Sequence, residues 1–557
     1  MFLVLSKPHS VDIAGEVIIA VLADTGELIS CDSVANQTEL VGLIRSKDLS
    51  DFRLVWDDTN RWYPKLLVEG IWIPRCVDLR LSDQILRHSE FTRDHYFALR
   101  GEDPWLKFDE SEPSEGLFEL ERSDSELDSA AEFAFQSKVI ENSERSQLIK
   151  LLLAAESAGA LVAAEMKFCG LPLRSDLHEQ MLVQALGPRP RFGERPKTLA
   201  KLLSTIQTLL NVNDLNPDSP AELIKGLKAN GLNVSSTRSW ELKRLDHPVV
   251  APLLEYKKLS RLMSANGWHW LDANVADGRF RPDYVVGGVV TGRWASRGGG
   301  GAMQLPKQVR GSVVADSGWQ LVVADAAQLE PRILAALSGD SAMAKAGKSR
   351  DMYEGLVATG VVESRDRAKV AMLAAMYGAT TGDSAKLMPL LARAFPKAIS
   401  LVESAARTGE RGGVVTTRLG RTSPAPDAER IFPEDGFSGS TDLGARSPRT
   451  GSFARSWGRF TRNFVVQGTA AEFSLCWMAL LRQKLHELAF DSKLENGPHL
   501  VFFMHDELVI HSPVSVAPKV GELAVLAAIE AGKLLFPGTS VEFPLDVSIV
   551  ERYSDAS

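Results

Sequence analysis

Two apolar segments that lie far apart in the chain each carry acidic side chains where a strand would be buried. In the first, GWQLVVADAAQLEPRILAALSGD (318–340), the run Leu321–Ala324 predicts a buried strand that ends at Asp325, and helical periodicity follows. A carboxylate at a strand-to-helix junction is rigidly held and partly exposed, which suits a metal ligand. The alternative is an aspartate that only caps the following helix.

The second segment, HLVFFMHDELVIHSP (499–513), places His505, Asp506 and Glu507 between the apolar runs LVFFM and LVI. Burying two adjacent carboxylates is unfavourable unless a cation neutralises them, so a metal site is favoured. The alternative is a hairpin turn of ordinary polar residues, although Asp-Glu is an uncommon turn pair without Gly or Asn.

A third segment, ESRDRAKVAMLAAMYGAT (363–380), predicts a helix that carries one stripe of unlike side chains. Arg365, Lys369, Leu373 and Tyr377 lie four residues apart, and each step advances about 40° past a full turn. The two cations would bind the triphosphate of an incoming nucleotide, and the apolar and aromatic side chains that follow would pack on its base. The alternative is a solvated basic face above an apolar core stripe.

Together these segments resemble the three sequence motifs of the family A DNA polymerases. VADAAQLEPRILA resembles motif A, RDRAKVAMLAAMYG resembles motif B, and HDELV resembles motif C, and they occur in the family's order. Further segments that resemble the family are LEYKKLSRL (254–262), VTGRWAS (290–296), MQLPKQVRGSVVA (303–315) and RFTRNFVVQGTAAE (459–472). The resemblance covers residues 145–557 and implies DNA synthesis on a primed template with deoxynucleoside triphosphates.

The resemblance also implies a role for individual residues. Asp325 and Asp506 would bind two Mg²⁺ ions, with Mn²⁺ as a substitute, and the main-chain carbonyl of Ala326 would add a ligand. Glu507 would be an auxiliary catalytic carboxylate, and Lys369 would be the acid for the leaving pyrophosphate. The residues expected to contact the nucleotide are Arg365, Lys369, Leu373, Tyr377, Glu330, Gln328 and His505, of which Glu330 would exclude a ribose 2′-hydroxyl. Those expected to contact DNA are Arg293, Arg459, Asn463, Gln467 and Arg332.

The expected fold is α/β plus α+β in several domains. Residues 1–140 have short β-rich runs between helices, and their place before the polymerase-like part implies an RNase H-like domain of the 3′–5′ exonuclease type. Residues 141–557 would form a right-hand polymerase, with the thumb at about 145–275 and the palm and fingers at about 276–557.

The sequence departs from the family's pattern at several positions. Leu373 stands where the family has an aromatic residue, which predicts weaker nucleotide binding. The first strand, within FLVLSKPHS, has no acid, and DSAAEFAF (128–135) has Ser129 and Phe133 where an exonuclease needs a tyrosine and an aspartate. We therefore expect a degenerate exonuclease domain that lacks proofreading.

The charge distribution indicates which part of the chain binds DNA. The net charge is −8, but residues 1–150 hold 16 Lys and Arg against 29 Asp and Glu, whereas residues 151–557 hold 47 against 42. Much of this acidity lies in residues 101–129, which predict a solvated linker. A DNA duplex is therefore expected on the C-terminal three quarters.

Four widely spaced cysteines indicate neither a disulfide framework nor a zinc site. No unbroken apolar run of about 18 residues is present, which predicts no membrane association. The expectation is a cytoplasmic, nucleoid-associated monomer that acts in DNA repair or replication. Two alternatives remain open, namely a bifunctional enzyme with a working N-terminal nuclease and a non-catalytic DNA-binding scaffold.

Overall fold

The computed structural model describes residues 1–6, 17–105, 127–191, 193–297, 305–348, 351–378, 383–426, 450–489 and 493–556, with only the main chain of 383–386 and 450–452. Most of the acidic stretch 101–129 lies outside the described residues. So does most of segment 422–454, whose many Ser, Gly and Pro residues predict a loop.

The strands of the described residues are β1 Phe2–Ser6, β2 Val17–Leu22, β3 Leu28–Val34, β4 Arg53–Trp56, β5 Cys76–Asp78, β6 Leu171–Pro172, β7 Val275–Ala276, β8 Arg279–Phe280, β9 Tyr284–Val285, β10 Ala295–Ser296, β11 Trp319–Ala326, β12 His499–Met504, β13 Glu507–Pro513 and β14 Leu545–Val550.

The helices are α1 Gln37–Arg45, α2 Thr59–Val68, α3 Leu79–His88, α4 Arg93–Leu99, α5 Ser129–Glu141, α6 Ser146–Cys169, α7 Ser175–Leu186, α8 Lys197–Leu210, α9 Pro220–Ala229, α10 Ser239–Leu242, α11 Val250–Asn266, α12 Trp268–Asn274, α13 Lys307–Arg310, α14 Leu329–Ser338, α15 Ser341–Ala346, α16 Met352–Ala358, α17 Arg365–Tyr377, α18 Asp383–Ala394, α19 Pro396–Glu410, α20 Thr450–Glu487 and α21 Ala517–Leu535.

The N-terminal α/β pattern forms a five-stranded mixed sheet in the order β3-β2-β1-β4-β5. Strand β1 pairs antiparallel with β2 and parallel with β4, and β4 pairs parallel with β5. Alternation along the strands sends Leu54 and Trp56 to one buried face, where α2 and α6 contribute to the core, and Val55 to the other, where α5 packs. Both faces of this sheet are therefore covered.

A second sheet, in the order β12-β13-β11-β14, carries the two apolar segments singled out in the sequence. All six residues of β12 are buried, as are Leu321–Ala324 of β11. The expected strand that ends near Asp325 is thus confirmed, and it lies beside the hairpin formed by β12 and β13.

The apolar spacing of LLEYKKLSRLMSANGWHWL (253–271) predicts helical structure, which the fold divides between two helices. Helix α11 ends at Asn266 and α12 begins at Trp268. A Cβ atom at Gly267 would lie 2.2 Å from the Met263 carbonyl oxygen, so only glycine fits the break. The apolar periodicity continues across the break, which explains why the pattern predicts a single helix.

Two helices are long and apolar enough to cross a membrane by length and composition, namely α6 and residues 453–487 of α20. Their most apolar windows are 67% and 78% buried inside the protein, which accounts for their composition. Scattered polar residues interrupt both helices, so neither one forms an unbroken apolar run in the sequence.

The chain divides into two compact units. One unit comprises Met1–Phe168, Tyr284–Ala295 and Val322–Val547, and it includes the N-terminal sheet and most of the second sheet. The other comprises Cys169–Asp283, Ser296–Leu321 and Ser548–Ser557, and it is largely helical. All four cysteines are free.

Candidate active site

Asp325 and Asp506 are brought together by adjacent strands of the second sheet. Asp325 is the penultimate residue of β11, and Asp506 lies in the turn between β12 and β13. The amide of Ala326 donates a hydrogen bond to the main-chain oxygen of Asp506 at 3.0 Å, which links the end of β11 to this turn. Both aspartates are partly exposed, so both can reach a ligand from solvent.

The triplet of polar residues is not in the middle of a strand, as the apolar pattern indicates, but at the hairpin turn itself. His505 and Asp506 are the two turn residues, and Met504 pairs with Glu507 across them. His505 is exposed and has a left-handed backbone with φ of 61°, a conformation that non-glycine residues seldom adopt. The turn thus holds Asp506 in a fixed place, while Glu507 is buried at the start of β13.

The carboxyl group of Asp506 is poised for a cation. Burial raises its pKa to about 7, and the neighbouring negative charges of Asp325 and Glu330 raise it further, whereas Arg293 opposes them. Three acidic side chains within electrostatic range of one another are costly, and a divalent cation would relieve that cost.

Four side chains form a continuous hydrogen-bonded network beside the aspartates. Glu330, in the first turn of α14, accepts one bond from the Arg293 guanidinium and another from the Tyr377 hydroxyl at 2.9 Å. The Gln467 amide donates to the same hydroxyl at 3.1 Å. Burial, followed by the charge of Glu330, raises the pKa of Tyr377 to about 12, so this phenol stays protonated and can donate. Four predicted residues from separate segments are thus brought together.

The stripe expected on the third segment is exposed on α17. The side chain of Ser364 caps the helix, and Gly378 ends it in a left-handed conformation. Arg365, Lys369 and Leu373 are exposed, the last by 37%. The solvent-exposed helix face that a nucleotide would require is therefore available.

Asp351, which the sequence reasoning missed, holds one of these cations. Its Oδ2 atom lies 2.7 Å from Nε of Arg365, and its Oδ1 atom caps α16 by accepting from the Tyr353 amide at 2.8 Å. An aspartate directly before a helical pattern is an N-cap signal that could have indicated its place, but not its ion pair.

Gln328 connects this region to the strand that carries Asp325. Its backbone is left-handed, with φ of 49°, and its Oε1 atom accepts from the Met352 amide at 2.9 Å. Gln328 therefore fixes the start of α16 in the apo chain, and it would have to give up this bond to contact a nucleotide through the same atom.

Arg332 and Asn463, two of the three buried residues among those expected to contact DNA, are almost fully enclosed. Arg332 is 1% exposed, and its guanidinium donates to the main-chain oxygens of Ala327, Gly347 and Glu542. In this conformation Arg332 has almost no surface for direct contact with DNA, and three carbonyls accept from Nε and Nη1 of its guanidinium. Asn463 is 2% exposed, and its side-chain oxygen lacks a hydrogen-bond partner in the described part of the chain.

The other predicted DNA contacts differ in their exposure. Arg459 is exposed on α20 and donates to the Ser456 hydroxyl at 2.9 Å, whereas Gln467 is 9% exposed. Arg293 is 39% exposed despite its ion pair with Glu330. Arg293 and Arg459 are thus the two members of this set that present charge to solvent.

The residues present fit a site for hard divalent cations. Asp325, Asp506 and the Ala326 carbonyl are oxygen donors, the type that Mg²⁺ prefers. Within the described ranges, no cluster of three or more His, Cys, Asp or Glu side chains is arranged to hold a metal. The remaining ligands would have to be water and substrate phosphates, as is common for Mg²⁺.

The chain is similar in sequence to several bacterial DNA polymerases. It is 26% identical over 325 residues to a thermostable DNA polymerase I of Thermus thermophilus, which covers 53% of this chain and 35% of that protein. It is 26% identical to DNA polymerase I of Chloroflexus aurantiacus, over 54% of this chain and 32% of the relative. The match to DNA polymerase I of Aquifex aeolicus is 27% identical and covers 64% and 58%, respectively. The chain thus spans about a third of the length of the first two relatives.

The fold is similar to that of a solved structure described as the POL domain of Pol1 from M. smegmatis in complex with DNA primer-template and dNTP. The TM-score is 0.69 at 16% identity, and the match covers 100% of this chain and 95% of the other. The model of DNA polymerase family A matches residues 193–553, which is more than half of the chain. This chain is a member of DNA polymerase family A.

Proposed function

We propose that this chain synthesises DNA on a primed template from deoxynucleoside triphosphates. The proposal rests on the positions of Asp325 and Asp506. These residues are 181 positions apart in the sequence (506 − 325), but they lie together at one end of the second sheet. The names of the relatives, and the primer-template and dNTP in the similar solved structure, support the same substrates for this chain.

Asp325 and Asp506 would bind two Mg²⁺ ions, with Mn²⁺ as a substitute, and the Ala326 carbonyl would complete the protein's share of the ligands. When bound, these ions lower the pKa of the primer 3′-hydroxyl and neutralise the leaving pyrophosphate. The role of the chain is to hold both carboxylates in place at the end of the second sheet. Glu507, buried beside the turn, would act as an auxiliary carboxylate.

The exposed face of α17 would receive the nucleotide. Arg365 and Lys369 would bind the triphosphate, and the Lys369 ammonium would give a proton to the departing pyrophosphate. An incoming triphosphate has to draw Arg365 away from Asp351, so this ion pair would keep the arginine ordered until substrate arrives. Leu373 would pack beside the base, and His505 would face the primer terminus.

The network around Glu330 would select the sugar. Its carboxylate is held by Arg293 and by the Tyr377 hydroxyl, so the side chain cannot swing aside without breaking two hydrogen bonds. A ribose 2′-hydroxyl would meet this fixed carboxylate, whereas a deoxyribose would not. The amide of Gln467, which supports Tyr377, would place the network next to the minor groove.

Contacts with the duplex would be made by exposed cations and by amides that check base-pair shape. Arg293 and Arg459 are accessible, and Asn463 and Gln467 would become accessible only if α20 or its neighbours moved. Acceptors in the minor groove occupy similar places in all correct pairs, so such contacts are independent of sequence.

We further propose that residues 1–140 form an RNase H-like domain that has lost its nuclease activity, and that residues 141–557 form the palm, fingers and thumb. The sheet order 3-2-1-4-5, with β2 antiparallel to β1, supports the RNase H-like assignment. The buried Glu132 is neutralised by Arg100, which donates to both of its oxygens at 2.7 and 2.9 Å.

Other acidic side chains within residues 1–140 are likewise bound by donors of the protein itself. Asp57 is bound by Arg61 and by the indole of Trp62, and Asp58 by Arg80 at 3.0 Å. Carboxylates that are already neutralised in this way have little capacity left for metal ions. Under this proposal, the chain acts in DNA repair or replication without proofreading. Its proposed location is the cytoplasm.

Primer extension with the purified chain tests the function. We expect Mg²⁺-dependent extension by the wild type, its loss in Asp506→Asn, and its retention in the control Asp366→Asn, which changes an exposed acid on α17. Absence of extension by the wild type would favour a non-catalytic scaffold. Degradation of a mispaired 3′ end without nucleotides would favour a working nuclease.

A further inference from the structure

A cavity of about 260 Å³ lies in the N-terminal α/β region, outside the proposed polymerase site. Its wall is mainly apolar, with polar groups at one side, and includes Phe2, Arg53, Val77, Phe133, Ser137 and Leu153. The rings of Phe2 and Phe133 pack together with centroids 4.7 Å apart. The volume is just below the range usual for ligand pockets and suits a small molecule.

The sheet places two arginines side by side, and one of them, Arg53, lines this cavity. Leu54 pairs with Cys76 in the parallel register of β4 and β5, so Arg53 and Arg75 precede paired positions on neighbouring strands. Alternation along β4 puts Arg53 on the face of Val55, which is the face that α5 covers. Like charges opposite each other on adjacent strands are destabilising, so this arrangement needs a compensating group.

The compensation from the protein itself is incomplete. Asp24 lines the same cavity and acts on Arg53 through its charge, but it is 83% exposed and is bound to the amino group of Met1 at 2.8 Å. The Arg75 guanidinium donates to the Ser50 carbonyl at 2.6 Å, whereas the Arg53 side chain has neither a hydrogen bond nor an ion pair within the described residues. Burial, together with the charge of Arg75, lowers the pKa of Arg53, so its charge is held at a cost.

The remaining polar lining favours the same type of ligand. Lys150 adds a cation and Glu141 an anion, and both are exposed at the rim. Ser137, half-buried in the lining, has a hydroxyl group that can donate to an anion. The packed rings of Phe2 and Phe133 line the same cavity and provide a surface for the apolar part of a ligand.

We propose that this cavity binds a small organic anion, in which a phosphate or carboxylate group contacts Arg53 and Ser137 and an apolar ring packs on Phe2 and Phe133. The anion would neutralise an arginine whose side chain makes no hydrogen bond or ion pair with the residues that the structure describes. This site is independent of the proposed polymerase function, because none of its residues belongs to the polymerase site.

Isothermal titration of the full chain with two minimal ligands tests the site. Phenyl phosphate and benzoate combine an aromatic ring with the two candidate anionic groups, and inorganic phosphate and phenol each supply one half. We expect saturable one-site binding of phenyl phosphate, benzoate or both, and much weaker binding of either half. The stronger of the two complete ligands identifies the anionic group.

Two variants and one control locate the binding. Arg53→Gln should weaken the binding about tenfold or more, because it removes a charged hydrogen-bond donor. Ser137→Phe should abolish it by filling the cavity. The control Arg45→Gln removes a 57%-exposed arginine on α1 and should leave binding unchanged.

Primer extension should be equal in all of these variants, and thermal unfolding at the wild-type midpoint would confirm that they fold. Absence of saturable binding by both complete ligands would overturn the proposal, as would equal binding by the wild type and Arg53→Gln. Inorganic phosphate binding as tightly as phenyl phosphate would overturn the role of the aromatic wall.

Discussion

Arg482 links the N-terminal sheet region to the long helix α20, and its replacement by methionine should open that region. The side chain is 3% exposed and pairs with Glu165 of α6, which is 4% exposed, at 2.6 Å. The same guanidinium donates to the carbonyls of Ile73 and Pro74 at 2.6 and 3.0 Å and to the Tyr63 hydroxyl at 3.2 Å. Nearly every donor of this buried cation is therefore used.

The size of the effect follows from the burial of the pair. Arg482→Met leaves the Glu165 carboxylate buried with only the Tyr63 hydroxyl as a donor, at 2.5 Å. Removing one partner of a buried ion pair costs about 3–5 kcal/mol, whereas replacing both by apolar groups is often close to neutral. We therefore expect Arg482→Met to lower the free energy of opening by about 3–5 kcal/mol, and Arg482→Met/Glu165→Leu to recover about half of that loss.

Native-state hydrogen exchange by mass spectrometry measures this effect locally. Peptides from β1 and β4 report the free energy of opening of the N-terminal sheet without requiring the whole chain to unfold in one step. Arg455→Met, an exposed change on the same helix, serves as the control. A loss below about 1 kcal/mol in Arg482→Met, or a double variant less stable than the single one, would refute the reasoning.

Three substitutions in the proposed polymerase site have outcomes that follow from its geometry. Glu330→Ala should raise ribonucleotide incorporation relative to deoxynucleotide incorporation roughly ten- to hundredfold in single-nucleotide extension, because the fixed carboxylate is gone. Leu373→Phe should lower the KM for dNTP in steady-state assays, because a ring adds contact area on the exposed stripe. Asp506→Asn should stabilise the metal-free protein at pH 8 by up to roughly 4 kcal/mol, as monitored by thermal unfolding.

The sign of the last effect follows from the direction of the pKa shift. The pKa of Asp506 in the folded protein is raised to about 7 from 3.8, so the stability contributed by the protonated form is lost as pH rises from about 4 through 7. Asparagine stays neutral and keeps that stability, so the two proteins should diverge across this range. A metal-free Asp506→Asn protein less stable than the wild type at pH 8 would contradict the crowding of charge around Asp506.

The corresponding refutations for the other two variants are kinetic. An unchanged ribonucleotide ratio in Glu330→Ala would mean that the carboxylate does not face the sugar. An unchanged or raised KM in Leu373→Phe would mean that position 373 does not contact the nucleotide.

Much of the candidate site could be predicted because its residues lie in regular elements with strong patterns. The buried run before Asp325 predicts the strand, and the four-residue spacing from Arg365 to Tyr377 predicts the exposed stripe on α17. Periodicity depends only on neighbouring residues, so it is available from the sequence alone.

Interactions that depend on tertiary packing could not be predicted in this way. The guanidinium of Arg332 is held by carbonyls that lie 5, 15 and 210 positions away in the chain, and the ion pair of Asp351 with Arg365 depends on how α16 lies beside α17. From the sequence, a turn around His505 and Asp506 is only the alternative prediction, because an Asp-Glu pair without Gly or Asn is uncommon in turns. The structure nevertheless forms a turn there, with a left-handed backbone at His505, and this turn fixes the carboxylate of Asp506.

Anomalous diffraction from crystals grown with Mn²⁺, primer-template DNA and a non-hydrolysable dNTP analogue tests the proposed catalytic centre directly. We expect two Mn²⁺ peaks about 3.5–4 Å apart, bridged by Asp325 and Asp506, with the primer end beside them. Metal peaks that contact neither aspartate, or only one of them, would contradict the proposed catalytic site.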